Sequence, residues 1–350
     1  MQSNNPADRV RSLLARTAQS FADHPFIPHP IFRNGHAQTL AAFAWPRRYR
    51  FESPQDEERI FEVASDVKVL GHCRWQANRQ EHPTIIAWHG VEGSSASTYM
   101  IAMADKSFNA GFNIIRMNLR TCGGTEHLTT TIYHGGLTED LREVVRQLIE
   151  QDHLSRIFLV GFSLGGNMVL KLSGEYGVDP PKQILGVCAV SPSVDLTASA
   201  DQIVKRSNWI YNQDFVYRLK QRLRAKHKLF PELYDITGLD SVRTLREFDD
   251  RFTAKAHGFT GAEDYYYKAS SIRIIDQIRL PALIIHAQDD PFIPFAPIRD
   301  PAITNNRYIL VISPERGGHV AFVSRSANGE DRFWSENRVI EFCKLALGSF

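Results

Sequence analysis

Cysteine is scarce in this chain, and its spacing limits the chemistry it can carry. Only four of the 350 residues are cysteines. They lie far apart, without a Cys-x-x-Cys pair or a Cys/His spacing typical of zinc. This argues against both a zinc site and a disulfide framework, and no other cofactor motif is present. We therefore predict reduced thiols, a cytoplasmic location and no metal or other cofactor. The cysteines are Cys73, Cys122, Cys188 and Cys343.

An excess of one charge is also missing. The formal net charge is +2, so no strong field favours nucleic acid or another charged polymer as a partner. No apolar stretch approaches the length of a transmembrane helix, and residues 1–20 lack the apolar core of a signal peptide. Those residues favour a short amphipathic helix packed on the domain surface, with peripheral contact to a membrane as the alternative. The sequence does not indicate an oligomeric state.

Apolar runs alternate with helical patterns along most of the chain. Two earlier segments, 59–63 and 67–75, alternate in the manner of an antiparallel lead-in. Alternating strands and helices predict an α/β protein with a mostly parallel central sheet and helices on both faces. The predicted buried strands are 83–90, 112–118, 156–162, 183–190, 280–287 and 307–312.

The pattern changes between two groups of strands. Residues 195–268 contain charged and aromatic helical segments but no clear buried strand. We predict a helical cap inserted over the edge of the sheet. The predicted organisation is an N-terminal helix and extended arm (1–48), a first core part (49–194), the cap (195–268) and a second core part (269–350).

The motif Gly161-Phe162-Ser163-Leu164-Gly165 lies between a predicted strand and a predicted helix. Gly-x-Ser-x-Gly in that context is the nucleophile elbow, in which a tight turn exposes a serine at the edge of a sheet. The glycines are needed because strand and helix approach closely there. The motif alone is short enough to arise by chance, but its context predicts Ser163 as a nucleophile.

A serine nucleophile needs a base, and the base needs a carboxylate to orient it. Two later strands run into Asp289-Asp290 and into the loop that contains His319. The chain order serine, aspartate, histidine is the one used with this elbow. We predict His319 as the base and Asp290 as the acid, with Asp289 as the alternative. Taken singly, each could be an ordinary turn or loop residue.

An oxyanion hole requires two N–H groups near the serine. One is expected from Leu164, which follows the nucleophile, and the other from Val91 in the glycine-rich loop after the first buried strand. The alternative for that loop is a phosphate-binding turn. It lacks the lysine of a P-loop and the Gly-x-Gly-x-x-Gly spacing, so the nucleotide interpretation has little support.

The cap contains aromatic residues that could line an acyl pocket. Trp209, Tyr211 and Phe215 are the candidates for substrate binding; equally, they could bury the cap on the sheet. The basic run 220–228 could face an anionic lipid surface, but a solvated helix face is the preferred interpretation.

Several motifs together resemble the YheT-like branch of the α/β-hydrolases, whose relatives include eukaryotic membrane-anchored lipases and yeast ethanol acyltransferases. The resemblance spans the chain from about residue 25 to its end. It implies an α/β-hydrolase fold, a Ser163–Asp290–His319 triad and esterase-type activity. The chain departs from the eukaryotic relatives in having no N-terminal membrane anchor, which favours a soluble esterase. The motifs are NGHAQTL (34–40), HGVEGSS (89–95), NLRTCGG (118–124), YHGG (133–136), GFSLGGN (161–167) and DDPF (289–292).

These observations predict a serine carboxylic-ester hydrolase that works through an acyl-enzyme. The expected substrate is a small-molecule or lipid-like ester with a short- to medium-chain acyl group. An acyltransferase on the same triad is the first alternative. A non-catalytic binding module on a hydrolase scaffold is the second, since fold does not imply function. An amidase or thioesterase is not excluded by the sequence.

Overall fold

The central element is an eight-stranded sheet in the order β1-β2-β4-β3-β5-β6-β7-β8. The computed structural model describes residues 6–47, 49, 56–326 and 329–349. All strands from β3 onward pair in parallel, while β2 pairs antiparallel with both β1 and β4. The prediction of a mostly parallel sheet with an antiparallel lead-in is confirmed. The strands are β1 Glu57–Ala64, β2 Val67–Arg74, β3 Thr84–Trp88, β4 Asn113–Met117, β5 Ile157–Phe162, β6 Ile184–Val190, β7 Ala282–Ile285 and β8 Ile309–Ile312.

Helices cover both faces of the sheet. Strands β3, β4, β5 and β7 are buried along their whole length, as expected for parallel strands sandwiched between helices. The helices are α1 Pro6–Asp23, α2 Gly35–Ala44, α3 Thr98–Asn109, α4 Thr138–Glu150, α5 Leu164–Tyr176, α6 Leu196–Ile203, α7 Trp209–Leu229, α8 Leu245–Phe248, α9 Ala254–Ala256, α10 Ala262–Ala269, α11 Pro301–Thr304 and α12 Trp334–Leu347.

Two hydrophobic cores lie on opposite faces of the sheet. One contains side chains from α4 and α5, such as Leu141 and Met168. The other contains side chains from α1, α3 and α12, such as Leu13, Met103 and Phe342. The N-terminal helix therefore packs on the domain surface, as predicted, although residues 1–5 lie outside the described part. None of the described helices has the length and apolar character needed to cross a membrane.

Residues 195–268 form α6 to α10, with a π-helical turn at Asp249–Thr253 and no strand. This segment has a small core of its own, which includes Leu219, Leu223 and Phe248. Leu219 and Leu223 belong to α7, and Phe248 belongs to α8. The segment therefore has the helical character expected of a cap, and the division of the chain into four parts stays a prediction.

The register of the parallel strands places functional loops at one edge. Trp88, the last residue of β3, is level with Met117 of β4 and Gly161 of β5. The loops that follow these strands consequently emerge side by side. Those after β7 and β8 emerge at the same edge, where ligands of open α/β sheets bind.

One helix start differs from the sequence-based expectation. The sequence favours Thr138 as the N-cap of α4, because it precedes a helical pattern over 139–151 with apolar residues on one face. In the structure, Leu137 occupies that position and no side chain caps the helix. The Thr138 hydroxyl instead donates to Glu175 Oε1 on α5, at 2.9 Å. The cap prediction is therefore wrong, because a tertiary partner takes the hydroxyl.

Candidate active site

Ser163 sits on a strained turn between β5 and α5. Its backbone angles are φ 54° and ψ −116°, a region that residues with a side chain adopt at a cost. A Cβ atom on Gly161 would lie 2.2 Å from the carbonyl oxygen of Gly165, so the crossing of strand and helix requires glycine. A Cβ on Gly90 would lie 2.9 Å from Ser163 Cβ. The serine is therefore held tightly between its own turn and the loop after β3.

His319 and Asp290 are joined by a hydrogen bond. His319 Nδ1 lies 2.8 Å from Asp290 Oδ2, and Asp290 Oδ1 accepts from the N–H groups of Phe292 and Ile293 at 2.8 and 3.0 Å. Burial would raise the pKa of the Asp290 carboxyl, but His319, His286 and the Ile293 N–H together lower the pKa below its ordinary value. An ionised Asp290 can only accept. Nδ1 therefore carries the proton, and Nε2 is free to act as a base.

Asp289 has a different role from Asp290. Its Oδ1 accepts from the Gly318 N–H at 2.9 Å, and burial raises the pKa of its carboxyl. It thus holds the glycine turn that precedes His319 and leaves the imidazole to Asp290. Of the two candidate acids, the structure brings Asp290 to the histidine.

Ser163 and His319 line the same cavity, which has a volume of about 740 Å³. Asp290 lies behind the histidine, with its side chain fully buried. In the part of the chain that the structure describes, no hydrogen bond joins the serine hydroxyl to His319. Such bonds often tighten only when substrate is present. The arrangement places a partly exposed serine hydroxyl and an oriented imidazole in one accessible space.

The two expected oxyanion donors flank Ser163. Leu164 is the first residue of α5, and N–H groups in a first turn have no partner within their helix. Val91 follows Gly90, whose carbonyl oxygen accepts from Gly93 N–H at 3.1 Å and contacts His89 Nδ1 at 2.7 Å. A planar trans peptide points the Val91 N–H away from that held oxygen. Both residues line the cavity.

His89 is a site residue that sequence reasoning missed. Its Nε2 accepts from Leu119 N–H at 3.1 Å, so Nδ1 carries the proton that it donates to Gly90. Burial lowers the pKa of His89 to about 4, which keeps the ring neutral and this pattern intact. The signal in the sequence was the His-Gly pair at the end of a buried strand.

Helix α7 forms a long wall of the cavity. Residues from Ile210 to Leu223 line it at helical spacing, a length of roughly 20 Å. Tyr211 and Phe215 are among them, as expected for substrate-binding candidates. Trp209 is 63% exposed and is not among the described residues that line the cavity, so it differs from the other two candidates.

The N-terminal arm reaches the site, which the sequence did not reveal. Thr39 of α2 accepts the backbone N–H of His319 on its hydroxyl, at 2.9 Å. Leu40 and Phe43 of the same helix line the cavity mouth and are 55% and 75% exposed. His36 stacks on Tyr211 with ring centroids 5.7 Å apart. The motif at 34–40 was a signal, but only tertiary contacts give it a role.

The basic run 220–228 is not simply a solvated face. Arg222 is largely buried and pairs with Glu92 at 2.9 Å. Lys226 is fully buried and donates to the carbonyl oxygens of Glu126 and Thr129. The preferred sequence interpretation is therefore wrong for these two residues. Their four-residue spacing places them on one face of α7, together with apolar Leu219 and Leu223.

Among the described residues, no group of three or more histidine, cysteine and acidic side chains is arranged to hold a metal ion. The groups that the site supplies are the Ser163 hydroxyl, the His319 imidazole with Asp290 behind it, and backbone N–H groups. That set matches acyl transfer through a serine nucleophile.

Comparison with known proteins places this geometry in a family. A family model described as alpha/beta hydrolase fold matches residues 83–326. The Escherichia coli protein named "Putative esterase YheT" is 32% identical over 324 residues, which cover 92% of this chain and 94% of that protein. A monoacylglycerol lipase of Saccharomyces cerevisiae is 30% identical over 308 residues, covering 85% of this chain and 63% of that protein. A mouse protein named Phospholipase ABHD3 is 28% identical, covering 75% and 64%.

The chain thus spans less than two thirds of the yeast and mouse relatives. Among solved structures, the Pyrococcus furiosus esterase Pf2001 superposes with a TM-score of 0.53 at 18% identity, covering 85% of this chain and 98% of that one. A 2,6-dihydroxy-pseudo-oxynicotine hydrolase superposes with a TM-score of 0.56 at 16% identity, covering 88% and 72%. These two likenesses concern the fold. The sequence matches and the fold agree with the resemblance found from the motifs, and the chain belongs to the α/β-hydrolase family, in its YheT-like branch.

Proposed function

We propose that this protein is a serine carboxylic-ester hydrolase. One observation carries the proposal: His319 is hydrogen-bonded to buried Asp290 and shares a cavity with Ser163 on its strained elbow. The names of the relatives, which include an esterase, a monoacylglycerol lipase and a phospholipase, support the same reaction class.

The proposed reaction has two steps. Ser163 attacks the ester carbonyl while His319 Nε2 takes its proton, and Asp290 stabilises the imidazolium that forms. The N–H groups of Leu164 and Val91 stabilise the negative oxygen of the tetrahedral intermediate. His319 then protonates the leaving alcohol, which yields an acyl-enzyme. Water, activated by the same histidine, releases the acid and regenerates the serine.

The shape and lining of the cavity support a lipid-like ester with a short- to medium-chain acyl group. Its wall includes Tyr211, Phe215 and Leu219 of α7, and apolar walls of this kind hold acyl chains. At the mouth, Leu40, Phe43 and Ile210 combine cavity lining with high exposure. Apolar side chains in such positions would meet a lipid substrate first, which also supports the alternative of peripheral contact with a membrane.

Replacing Ser163 with alanine tests the proposal. We expect hydrolysis of p-nitrophenyl esters of graded chain length to fall by about 10³-fold or more, because the attacking hydroxyl is removed. Circular dichroism should show an unchanged fold. The wild-type protein should also be labelled by a fluorophosphonate probe, and the variant should not. Retention of full activity by the variant would remove Ser163 from the mechanism. Neither turnover nor labelling in the wild type would favour a non-catalytic binding module.

A further inference from the structure

A buried ion pair joins the cap to the loop that carries one oxyanion donor. Arg222 of α7 donates from Nε and Nη2 to the two carboxylate oxygens of Glu92, at 3.0 and 2.9 Å. The side chains are only 11% and 3% exposed. Two parallel hydrogen bonds between a guanidinium and a carboxylate fix orientation as well as distance. Cap helix and loop are therefore held in a defined relative position.

The same arginine contacts a second core loop, the one that connects β4 and α4. Its Nη1 donates to the carbonyl and hydroxyl oxygens of Thr121, in the loop after β4. Its guanidinium lies 5.3 Å from the ring centroid of Tyr133. The Tyr133 hydroxyl donates to Glu92 Oε1 at 2.9 Å and accepts from the Glu92 N–H at 3.1 Å. One side chain of the cap thus connects two loops, those after β3 and β4, at the functional edge of the sheet.

Glu92 needs this support because its backbone is strained. Its φ is 55°, and a residue with a side chain keeps such a conformation only where its surroundings enforce it. Glu92 directly follows Val91. A change in the Glu92 backbone would rotate the Val91–Glu92 peptide group, and the Val91 backbone would pass the change on to the neighbouring peptide group, which carries the Val91 N–H.

The two sides of the donor are held by different parts of the molecule. On the Gly90 side, the core holds the loop through His89 Nδ1, and through the Tyr99 hydroxyl, which accepts the Gly90 N–H at 3.0 Å. On the Glu92 side, the ion-pair partner comes from the cap. The Tyr133 hydroxyl of the core also contacts the Glu92 N–H and carboxylate. The core alone therefore fixes the Gly90 side, whereas the core and the seated α7 helix together hold the Glu92 side.

We propose that Arg222 and Glu92 are positioning residues for the oxyanion hole, so that the Val91 N–H is fully aligned only while α7 is seated on the core. The inference rests on the proposed ester hydrolysis and deepens it. Opening or displacement of the cap would release the Arg222–Glu92 pair and weaken stabilisation of the tetrahedral intermediate. Closure over a bound ester would restore it, which links catalysis to cap position.

Substitution of Arg222 by lysine is the main test, because lysine keeps the charge but cannot form the paired contact. We expect kcat for a short p-nitrophenyl ester to fall by about tenfold to a hundredfold with KM little changed, as for misplacement of a transition-state donor. The affinity for a trifluoromethyl ketone, whose serine adduct carries an oxyanion, should fall by a similar factor. Glu92→Gln, which retains the contact to Tyr133, should shift both quantities in the same direction.

Arg224→Lys is the matched control on the same helix. Arg224 pairs with Asp240, whose side chain is 90% exposed, and it does not line the cavity. We expect wild-type kinetics for this variant.

A purely structural role for the Arg222–Glu92 pair would lower the melting temperature of Arg222→Lys and Glu92→Gln while kcat and ketone affinity at 25 °C stay at wild-type values. That result would overturn the inference. Ester hydrolysis that is absent from the wild type, or that survives in Ser163→Ala, would instead refute the proposed function. The two failures are therefore distinguishable.

Discussion

Two adjacent aspartates follow β7, and their side chains serve different neighbours. Asp290 Oδ2 contacts the His319 ring, whereas Asp289 Oδ1 accepts the N–H of Gly318, the residue before His319. Both oxygens of Asp290 have partners, because Phe292 and Ile293 donate to Oδ1. The chemistry of the acid therefore depends on which carboxylate the turn aims at His319.

Replacing each aspartate by asparagine separates these roles. For Asp290→Asn we expect kcat for ester hydrolysis to fall by about 10³-fold or more, because the amide no longer stabilises the imidazolium or selects its tautomer. For Asp289→Asn we expect less than a tenfold loss, since the amide oxygen can still accept the Gly318 N–H. Steady-state kinetics on a p-nitrophenyl ester measure both, and a larger loss for Asp289→Asn would reverse the assignment.

For single residues, the sequence predicted which residues belong to the candidate site better than it predicted which side chains contact each other there. The elbow named Ser163 because a local motif between a strand and a helix specifies its conformation. The sequence favours Asp290 over Asp289 only as a preference, because both residues lie in the loop after the same strand. Side-chain direction in a turn is decided by contacts from elsewhere in the chain, here from His319 and Gly318.

At the scale of single elements, α2 is the least predictable part of the site. Gln38 of this helix is fully buried and donates to the carbonyl oxygens of Phe32 and Val323, at 2.7 and 3.0 Å. It also accepts the Val323 N–H at 2.7 Å. The arm is thereby fixed to the segment that follows His319. The next residue, Thr39, holds the His319 N–H.

Loss of the Gln38 amide should release this attachment. For Gln38→Met we expect the free energy of unfolding to fall by about 2–4 kcal/mol, because buried backbone groups lose their partners. Gln19→Met is the control on α1, where the exposed amide should matter by less than about 0.5 kcal/mol. Urea denaturation followed by circular dichroism measures both, and equal small losses would contradict a structural role for the arm.

Helix α7 shows why the sequence failed for other elements. Some of its basic residues form exposed ion pairs, such as Arg224 with Asp240, and others form buried ion pairs, such as Arg222 with Glu92. The sequence of a run of basic residues does not show which face of the helix will be buried against the rest of the protein. The partner Glu92 lies 130 residues away in sequence, so only the docking of the cap separates the two faces.

At the scale of the whole molecule, buried histidines should make the fold sensitive to acid. Burial lowers the pKa of His89, His257 and His286 to about 4, from 6.5. Between pH 6.5 and 4 the unfolded chain binds protons that the folded chain does not. As the pH falls through this range, each such histidine therefore lowers the free energy of unfolding by about 1.4 kcal/mol per pH unit. Buried Asp249 has the opposite effect, because burial raises its pKa to about 6 and the folded chain binds the proton first. This one carboxyl offsets the destabilising effect of only one of the three histidines.

We therefore expect the melting temperature to fall steadily from pH 7 to pH 5. Thermal denaturation at several pH values measures this, and recovery of the original melting temperature on return to pH 7 serves as the control for irreversible damage. A melting temperature that stays constant over this range would show that the histidines are not held neutral.

The sequence by itself determined the fold class, the positions of the buried strands, the candidate nucleophile and the chain order of the candidate acid and base. These features are local, because hydrophobic periodicity and the conformational demands of the elbow act over a few residues. Tertiary structure decided the strand order, the choice of Asp290, the support from α2 and the Arg222–Glu92 pair. Each of these depends on residues distant in the chain meeting at the carboxyl edge of the sheet. These tertiary contacts depend on how the helices pack on the two faces of the sheet and on how the cap packs above it.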